Sequence, residues 1–197
     1  CPLRSEMQKL EDVVPSVNAS RILLKKWSKT KKNVAICSSA NYLLNMSLNQ
    51  ELLQLSLSAF ISTNILEIKQ AAFQNFYKLI FVSVPNCEEI GPYSFYFCHS
   101  LIQINCGKVH TIKEDAFYQC FLIHQYEFPS LKHIGKAAFN YNSSLVRLNL
   151  PLVETLENNM FGECHNLQQV YAPNFKGELN KIQIIQSKAE YARTQEM

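Results

Sequence analysis

The fold is decided by two consecutive stretches, IKEDAFYQCFLIHQYEFPSLKH at residues 112–133 and IGKAAFNYNSSLVRLNLPLVET at residues 134–155. Both place alanine and phenylalanine at the same two positions, and both place proline 12 residues after the phenylalanine. Two residue types that keep one spacing indicate an internal repeat, here of 22 residues.

The repeat extends well beyond these two stretches. Phenylalanine recurs at the same interval at Phe73, Phe95, Phe117, Phe139 and Phe161. Proline keeps its position in four of the five units, at Pro85, Pro129, Pro151 and Pro173. In the remaining unit this position is Gly107. One unit of this length cannot bury its apolar face alone, but stacked units bury a continuous core.

Each unit reads roughly I-x-x-x-A-F-x-x-C-x-x-L-x-x-L-x-L-P. The L-x-L core alternates apolar and polar residues, which is typical of a half-buried strand, and the following proline ends that strand. The spacing of A-F-x-x-C suits a short helical turn that presses the phenylalanine inward. The pattern therefore predicts a mainly β solenoid, with a parallel sheet on one side and short helical turns on the other.

The strength of the pattern divides the chain into four segments. Residues 68–179 hold five registered repeats, and residues 46–67 read as a degenerate repeat. We expect residues 1–45 to form a basic N-terminal segment or cap with one decayed repeat. Residues 180–197 form a polar C-terminal tail or cap.

The segments IGPYSFYFCHSLIQI, IKEDAFYQCFLI and IGKAAFNYNSSLVRLNLP resemble the BspA-like, or Treponema-type, leucine-rich repeat family over about residues 68–175. The resemblance implies a curved leucine-rich-repeat solenoid of the α/β horseshoe class, with strands on the concave side. It also implies a surface or secreted protein of adhesion and recognition. The chain departs from the family motif at Asn142 in place of Cys, Met160 in place of Ala and Gly107 in place of Pro.

The candidate binding site follows from the strand pattern. Residues eight and ten after each phenylalanine flank the buried strand position, so they point outward and form two ladders on the concave face. We predict that a protein or glycan partner binds there, through Phe81, Gln103, Asn105, Gln125, Glu127, Arg147, Asn149, Gln169 and Tyr171. A sheet face that is merely solvated is the alternative interpretation.

The cysteines and histidines do not predict catalysis or metal binding. Cys98, Cys120 and Cys164 share one repeat position, and the first and last of these are three coils apart, too far for one zinc ion. We interpret them as buried structural thiols. The histidines are scattered, and the acidic residues are not clustered on one face as in a carbohydrate-cleaving β-helix. We therefore expect no enzyme activity, no cofactor and no metal.

Composition limits the remaining possibilities. The net charge is only +3, and no apolar run approaches the length of a spanning helix, so we expect a protein that neither binds nucleic acid nor inserts into membrane. We also expect a monomer. The basic stretch at residues 16–32 can form an amphipathic helix, which we interpret as the cap rather than as a membrane-binding or nucleic-acid-binding helix.

The compartment is left open by two opposing indications. The family resemblance favours the cell surface, whereas cysteines in core positions favour the cytoplasm, where the same fold would act as an intracellular scaffold. Asn18, Asn45 and Asn142 lie in N-x-S sequons. Asn142 occupies the buried cysteine position, where its amide can bond loop backbone, so we expect it to be unglycosylated.

Overall fold

The computed structural model describes residues 34–36, 57–179 and 182–187, and these residues form coils of short parallel strands. Three-residue strands lie on one side of the coils: β1 Val34–Ile36, β2 Ala59–Ile61, β4 Phe81–Ser83, β6 Gln103–Asn105, β8 Gln125–Glu127, β10 Arg147–Asn149, β11 Gln169–Tyr171 and β12 Gln183–Ile185. Two-residue strands lie on a second side: β3 Glu67–Ile68, β5 Glu89–Ile90, β7 Thr111–Ile112 and β9 His133–Ile134.

Strand pairing follows the repeat of the sequence. Within the registered units every paired residue lies 22 positions from its partner, as in Tyr126 with Leu148 and Leu148 with Val170. All pairings between named strands are parallel. This arrangement confirms the predicted leucine-rich-repeat solenoid.

The repeated phenylalanines form one column through the core. Neighbouring rings are nearly parallel, and their centroids lie 5.2, 5.1, 5.7 and 6.0 Å apart from Phe73 to Phe161. The first four rings are fully buried, and Phe161 is 5% exposed. The prediction that these side chains point inward is confirmed.

The segments around the phenylalanines are hydrogen-bonded turns. In the turn of Phe95, for example, the Cys98 amide donates to the Phe95 carbonyl at 3.1 Å. Among the described residues a 3-10 helix is formed at Asn158–Met160. None of the described residues belongs to a helix with the length and hydrophobicity needed to cross a membrane.

The described strands form three four-stranded sheets. The two-residue strands make one, in the order β3-β5-β7-β9, and the three-residue strands make β1-β2-β4-β6 and β8-β10-β11-β12. The division between β6 and β8 coincides with a change in side-chain size. The coil of β8 carries Tyr126 and Phe128 in core positions, where the preceding coil carries Ile104 and Cys106.

The ends of the predicted segments fall largely outside the described residues. Of residues 1–45 only β1 is described, and of the degenerate repeat 46–67 the described part begins at residue 57. There β2 pairs with β4 in the register of the repeat. Of the C-terminal segment 180–197, residues 182–187 are described, and they include β12, which adds a strand beside β11. The basic stretch at residues 16–32 and the sequons at Asn18 and Asn45 lie outside the described residues.

Candidate functional site

The outward residues of four strands form one face, which we call the ladder face. The central residues of β8, β10 and β11 are buried, so the residues on either side of them point away from the core. The ladder face comprises Gln103, Asn105, Gln125, Glu127, Arg147, Asn149, Gln169 and Tyr171. Arg147 pairs in register with Gln125 on one side and with Gln169 on the other. The side chains of the ladder face are half-buried, apart from the exposed Glu127.

Phe81 does not share this exposure. Its side chain is 1% exposed, so the prediction that it faces solvent beside the other ladder residues is wrong. The outward positions of β2 and β4 hold Ala59, Ile61, Phe81 and Ser83, all of them buried. Three of these four side chains are apolar, and removing them from water is favourable. The apolar–polar alternation correctly predicts that Phe81 lies on the outward side of the sheet, but it does not predict that this part of the outward side is buried.

The ladder residues fall into two groups because the sheet divides between β6 and β8. Gln103 and Asn105 belong to the sheet that contains Phe81, and the Asn105 side-chain amide donates to the Ser83 hydroxyl at 3.3 Å. The others lie on β8, β10 and β11, which are joined by continuous pairing. We call this second group the candidate site: Gln125, Glu127, Arg147, Asn149, Gln169 and Tyr171.

The candidate site presents acceptors that the described residues leave unsatisfied. The side-chain oxygens Asn149 Oδ1 and Gln169 Oε1 are shielded from solvent and have no hydrogen-bond partner within the described part of the chain. Gln125 Nε2, by contrast, donates to Glu127 Oε1 at 2.6 Å. Shielded acceptors without a donor are unfavourable, and a ligand that brings N–H or O–H groups would satisfy them once these half-buried amides rotate toward it. The Arg147 guanidinium between these strands is suited to a carboxylate.

The repeated cysteines have a role that the sequence analysis missed. The Cys98, Cys120 and Cys164 thiols donate to the carbonyl oxygens of Phe73, Phe95 and Phe139 at 3.1, 3.3 and 2.9 Å. Each acceptor is the column phenylalanine of the preceding coil, so these bonds join neighbouring coils. Burial strongly raises the pKa of Cys98, and it raises the pKa of Cys164 to about 11. The described cysteines are free, and their thiols are kept protonated inside the core.

Asn142 performs the same task in its own coil. Its side-chain nitrogen donates to the Phe117 carbonyl of the preceding coil at 2.7 Å and to the Phe139 carbonyl at 2.8 Å. Its side-chain oxygen accepts from the Tyr126 hydroxyl at 3.0 Å. The prediction that this residue is buried and bonds loop backbone is confirmed, since Asn142 is fully buried.

A second feature missed in the sequence analysis is a group of rings on the turn side of the coils. These rings are linked by centroid distances of 6.0 Å or less. We call them the aromatic surface: Tyr77, Tyr93, Tyr96, Phe97, His99, Tyr118, Phe121 and Tyr141. A sequence signal was available, because most of these residues fall one, two or four positions after a column phenylalanine.

The described residues contain no cluster of three or more His, Cys, Asp or Glu side chains that could hold a metal ion.

Comparisons with known proteins agree with this geometry. The model of the BspA type leucine-rich repeat region matches residues 66–189 with six copies of the repeat. No curated protein matches the sequence. Among solved structures, a Treponema pallidum leucine-rich repeat protein is 22% identical with a TM-score of 0.56, over 71% of this chain and 82% of that chain.

Two further solved structures share the fold. A leucine-rich repeat protein from Bacteroides ovatus is 27% identical with a TM-score of 0.54, over 59% of this chain and 31% of that chain. The pneumococcal vaccine antigen PcpA is 16% identical with a TM-score of 0.57, over 71% of this chain and 38% of that chain. Because the family model covers more than half of the sequence and the strands follow its repeat, the chain belongs to the BspA-type leucine-rich repeat family.

Proposed function

We propose that this chain is a non-catalytic binding module of adhesion or recognition, and that its protein or glycan partner binds on the ladder face at the candidate site. The observation that carries the proposal is the pair of shielded acceptors without a hydrogen-bond partner in the described part of the chain, Asn149 Oδ1 and Gln169 Oε1. Asn149 lies on the same strand as Arg147, and Gln169 lies on the neighbouring strand. A folded chain gains nothing from such acceptors, whereas a partner with donor groups pairs with them.

The support beneath the candidate site is rigid. The central residues Tyr126, Leu148 and Val170 are at most 1% exposed and pack into the continuous core. The outward positions above them change in chemistry from strand to strand, while the inward positions stay apolar. Outward residues on a fixed sheet can be altered without disturbing the core, and solenoids acquire binding surfaces in this way.

The chemistry of the site suits a partner with both acidic and hydrogen-bonding groups. Arg147 offers a planar set of donors to a carboxylate, and Tyr171 offers an aromatic contact with a polar end. Asn149 lies in register between Glu127 and Tyr171, which brings amide, carboxylate and phenol groups together. Tyrosine and arginine are enriched among residues that dominate binding energy.

The test is the double variant Arg147→Ala with Tyr171→Ala, probed with a glycan array and with a phage library of random peptides. Neither side chain fills the core, so we expect the melting temperature to stay within about 2 °C of the parent chain. Ligands selected on the parent chain should lose more than about 1 kcal/mol of binding free energy on the double variant. The control Lys132→Ala removes the same charge at an exposed position outside the ladder face. Equal binding by parent and double variant would refute the assignment of the site.

A further inference from the structure

The aromatic surface is continuous across several coils. Tyr96 stacks on Tyr118 of the next coil, with centroids 4.8 Å apart and ring planes at 16°. Phe97 lies 4.2 Å from Tyr96, and Tyr141 lies 5.1 Å from Tyr118. At the other edge Tyr93 lies 5.7 Å from Tyr96 with its plane turned by 70°. The Tyr93 ring therefore does not cover the Tyr96 face as a stacked partner would.

A second row of rings extends the aromatic surface. His99 lies between Tyr77 and Phe121, with centroid distances of 5.2 and 4.7 Å, and it is joined to Phe97 at 5.5 Å. Tyr77 and Tyr141 are 42% and 39% exposed, and the other members are half-buried. Contiguous aromatic groups that remain partly accessible to solvent are typical of interaction sites.

The backbone beneath three of these rings is strained. Tyr93, Phe97 and Tyr141 have φ angles of 55°, 63° and 60°, in the left-handed region that bulky side chains rarely adopt. In other coils the same two turn positions hold mostly small or polar residues: Ala71, Asp115, Ala137, Asn75, Gln119 and Glu163. The rings are not in the core, so the fold itself does not explain why aromatic residues occupy unfavourable positions. The positive φ recurs at these positions in other coils, so it belongs to the turn of the repeat, and what a surface contact would explain is the choice of aromatic side chains.

Two carboxylates border the Tyr93 end of the aromatic surface. The Tyr93 amide donates to the Glu114 carbonyl at 3.1 Å, and Asp115 occupies the turn position of Tyr93 in the next coil. Glu114, burial and Asp115 all raise the pKa of the Tyr93 hydroxyl, since nearby negative charge disfavours the phenolate. Burial and Glu114 raise the pKa of Asp115, and Lys136 opposes them. With Lys136 included, the three charges leave a net negative end.

We propose that the aromatic surface is a second docking surface, separate from the ladder face, for a protein segment that places an arginine or lysine side chain between Tyr93, Tyr96 and the carboxylates of Glu114 and Asp115. A cation above aromatic rings and beside carboxylates is attracted by both. A neutral glycan fits less well, because it has no positive charge to place beside the carboxylates of Glu114 and Asp115. Tyrosine-rich surfaces of this kind are typical of protein recognition.

The experiment selects a phage library of random dodecapeptides on the whole chain and, in parallel, on the variant Tyr93→Ala with Phe97→Asn. Both replacements copy residues that the chain itself carries at these turn positions, Ala71 and Asn75. We expect the variant to melt within about 2 °C of the parent chain, because neither ring lies in the core and asparagine tolerates the left-handed region better than phenylalanine does. Peptides enriched on the parent alone should contain arginine or lysine.

Synthetic copies of the enriched peptides then separate the ring contribution from the charge contribution. We expect their affinity to fall about tenfold or more on the ring variant and on Glu114→Gln with Asp115→Asn, and equally when peptide arginine is replaced by neutral citrulline. The control Gln119→Asn changes the turn position of Phe97 in the next coil and should leave affinity unchanged.

Several results would overturn the proposal. Selection that enriches no peptide on the parent over the variant, or that enriches peptides without cationic residues, refutes a cationic partner. A fall of more than about 5 °C in the melting temperature of the ring variant shows that the rings serve the fold instead. Ring-dependent binding on a glycan array, without peptide binding, assigns the surface to carbohydrate.

Discussion

Replacing Asn142 by alanine should destabilise the solenoid through two buried hydrogen-bonding groups rather than through lost volume. The substitution removes the closer of two donors to the Phe117 carbonyl and the acceptor of the Tyr126 hydroxyl. The Phe139 carbonyl keeps the Cys164 thiol as a donor, so it is not left unsatisfied. The Phe117 carbonyl keeps the Cys120 amide as a donor at 3.4 Å, so the loss of its shorter bond to Asn142 costs about 0.5 to 1.5 kcal/mol. The hydroxyl costs about 1 kcal/mol, because the Cys120 sulfur beside it is a weak acceptor. The expected loss of unfolding free energy is about 1.5 to 2.5 kcal/mol.

The matched variant is Asn142→Cys, which restores the residue that three other coils carry at this position. A thiol there can donate to the Phe117 carbonyl as Cys120 does to that of Phe95, so only the acceptor of Tyr126 is lost. Its cost should be about 1 kcal/mol. Tyr126→Phe supplies the second arm of a double-mutant cycle. With Asn142 present, the phenylalanine leaves the amide oxygen unsatisfied, whereas in the Asn142→Cys background it removes a hydroxyl that lacks its acceptor.

The assay is urea unfolding of the four proteins of this cycle, followed by circular dichroism and by tyrosine fluorescence. We expect Tyr126→Phe to cost about 1 kcal/mol with Asn142 and close to nothing in the Asn142→Cys background, a coupling of about 1 kcal/mol. If Tyr126→Phe costs the same in both backgrounds, the bond between the hydroxyl and the amide does not contribute as described.

Two further predictions concern the core. Phe117 stacks between Phe95 and Phe139, whereas Phe161 stacks on Phe139 and is 5% exposed. Phe117→Ala should therefore lower the free energy of unfolding by about 3 to 5 kcal/mol, and Phe161→Ala by clearly less. Equal shifts in melting temperature would contradict the register. Burial raises the pKa of Cys87 from 9.0 to about 11, so the folded chain retains a proton that the unfolded chain loses above pH 9. The contribution of Cys87 to stability should therefore fall by about 2 kcal/mol between pH 9 and pH 11, in addition to the falls from the other buried thiols. In pH titration of urea unfolding, the total fall should be smaller by that amount in Cys87→Ala.

The fold could be predicted because the same 22-residue pattern recurs in five units of the sequence. In each coil, alternating apolar and polar residues predict the strand, and the phenylalanine predicts the turn. Both lie at a fixed spacing, so a unit that departs from the pattern can still be aligned through its neighbours. Asn142 and Gly107 depart from the motif without disturbing the solenoid, since both keep to the positions of the repeat. The burial of Phe81 could not be predicted in the same way. Alternation shows which side of a sheet a residue takes, but not what covers that side.

The aromatic surface was missed for a related reason. Its members lie at turn positions that vary from coil to coil, whereas the candidate site was sought among the variable positions of the strands. Tyr96 and Tyr118 become neighbours only when the repeat is turned into coils, because residues 22 apart in sequence then lie one above the other. With the register known, an excess of rings at equivalent turn positions is a signal that sequence alone contains.

The exchange of cysteine and asparagine at one repeat position shows what that position requires. Cys98, Cys120 and Asn142 differ in polarity and shape, yet each donates to the column phenylalanine carbonyl of the preceding coil. The position therefore selects a small buried hydrogen-bond donor, which the interpretation of the cysteines as buried structural thiols does not by itself specify. The first registered unit has Phe76 there, and the column position one repeat before Phe73 is Glu51, in the degenerate part of the sequence. An apolar residue replaces the donor at the point where the column of phenylalanines begins.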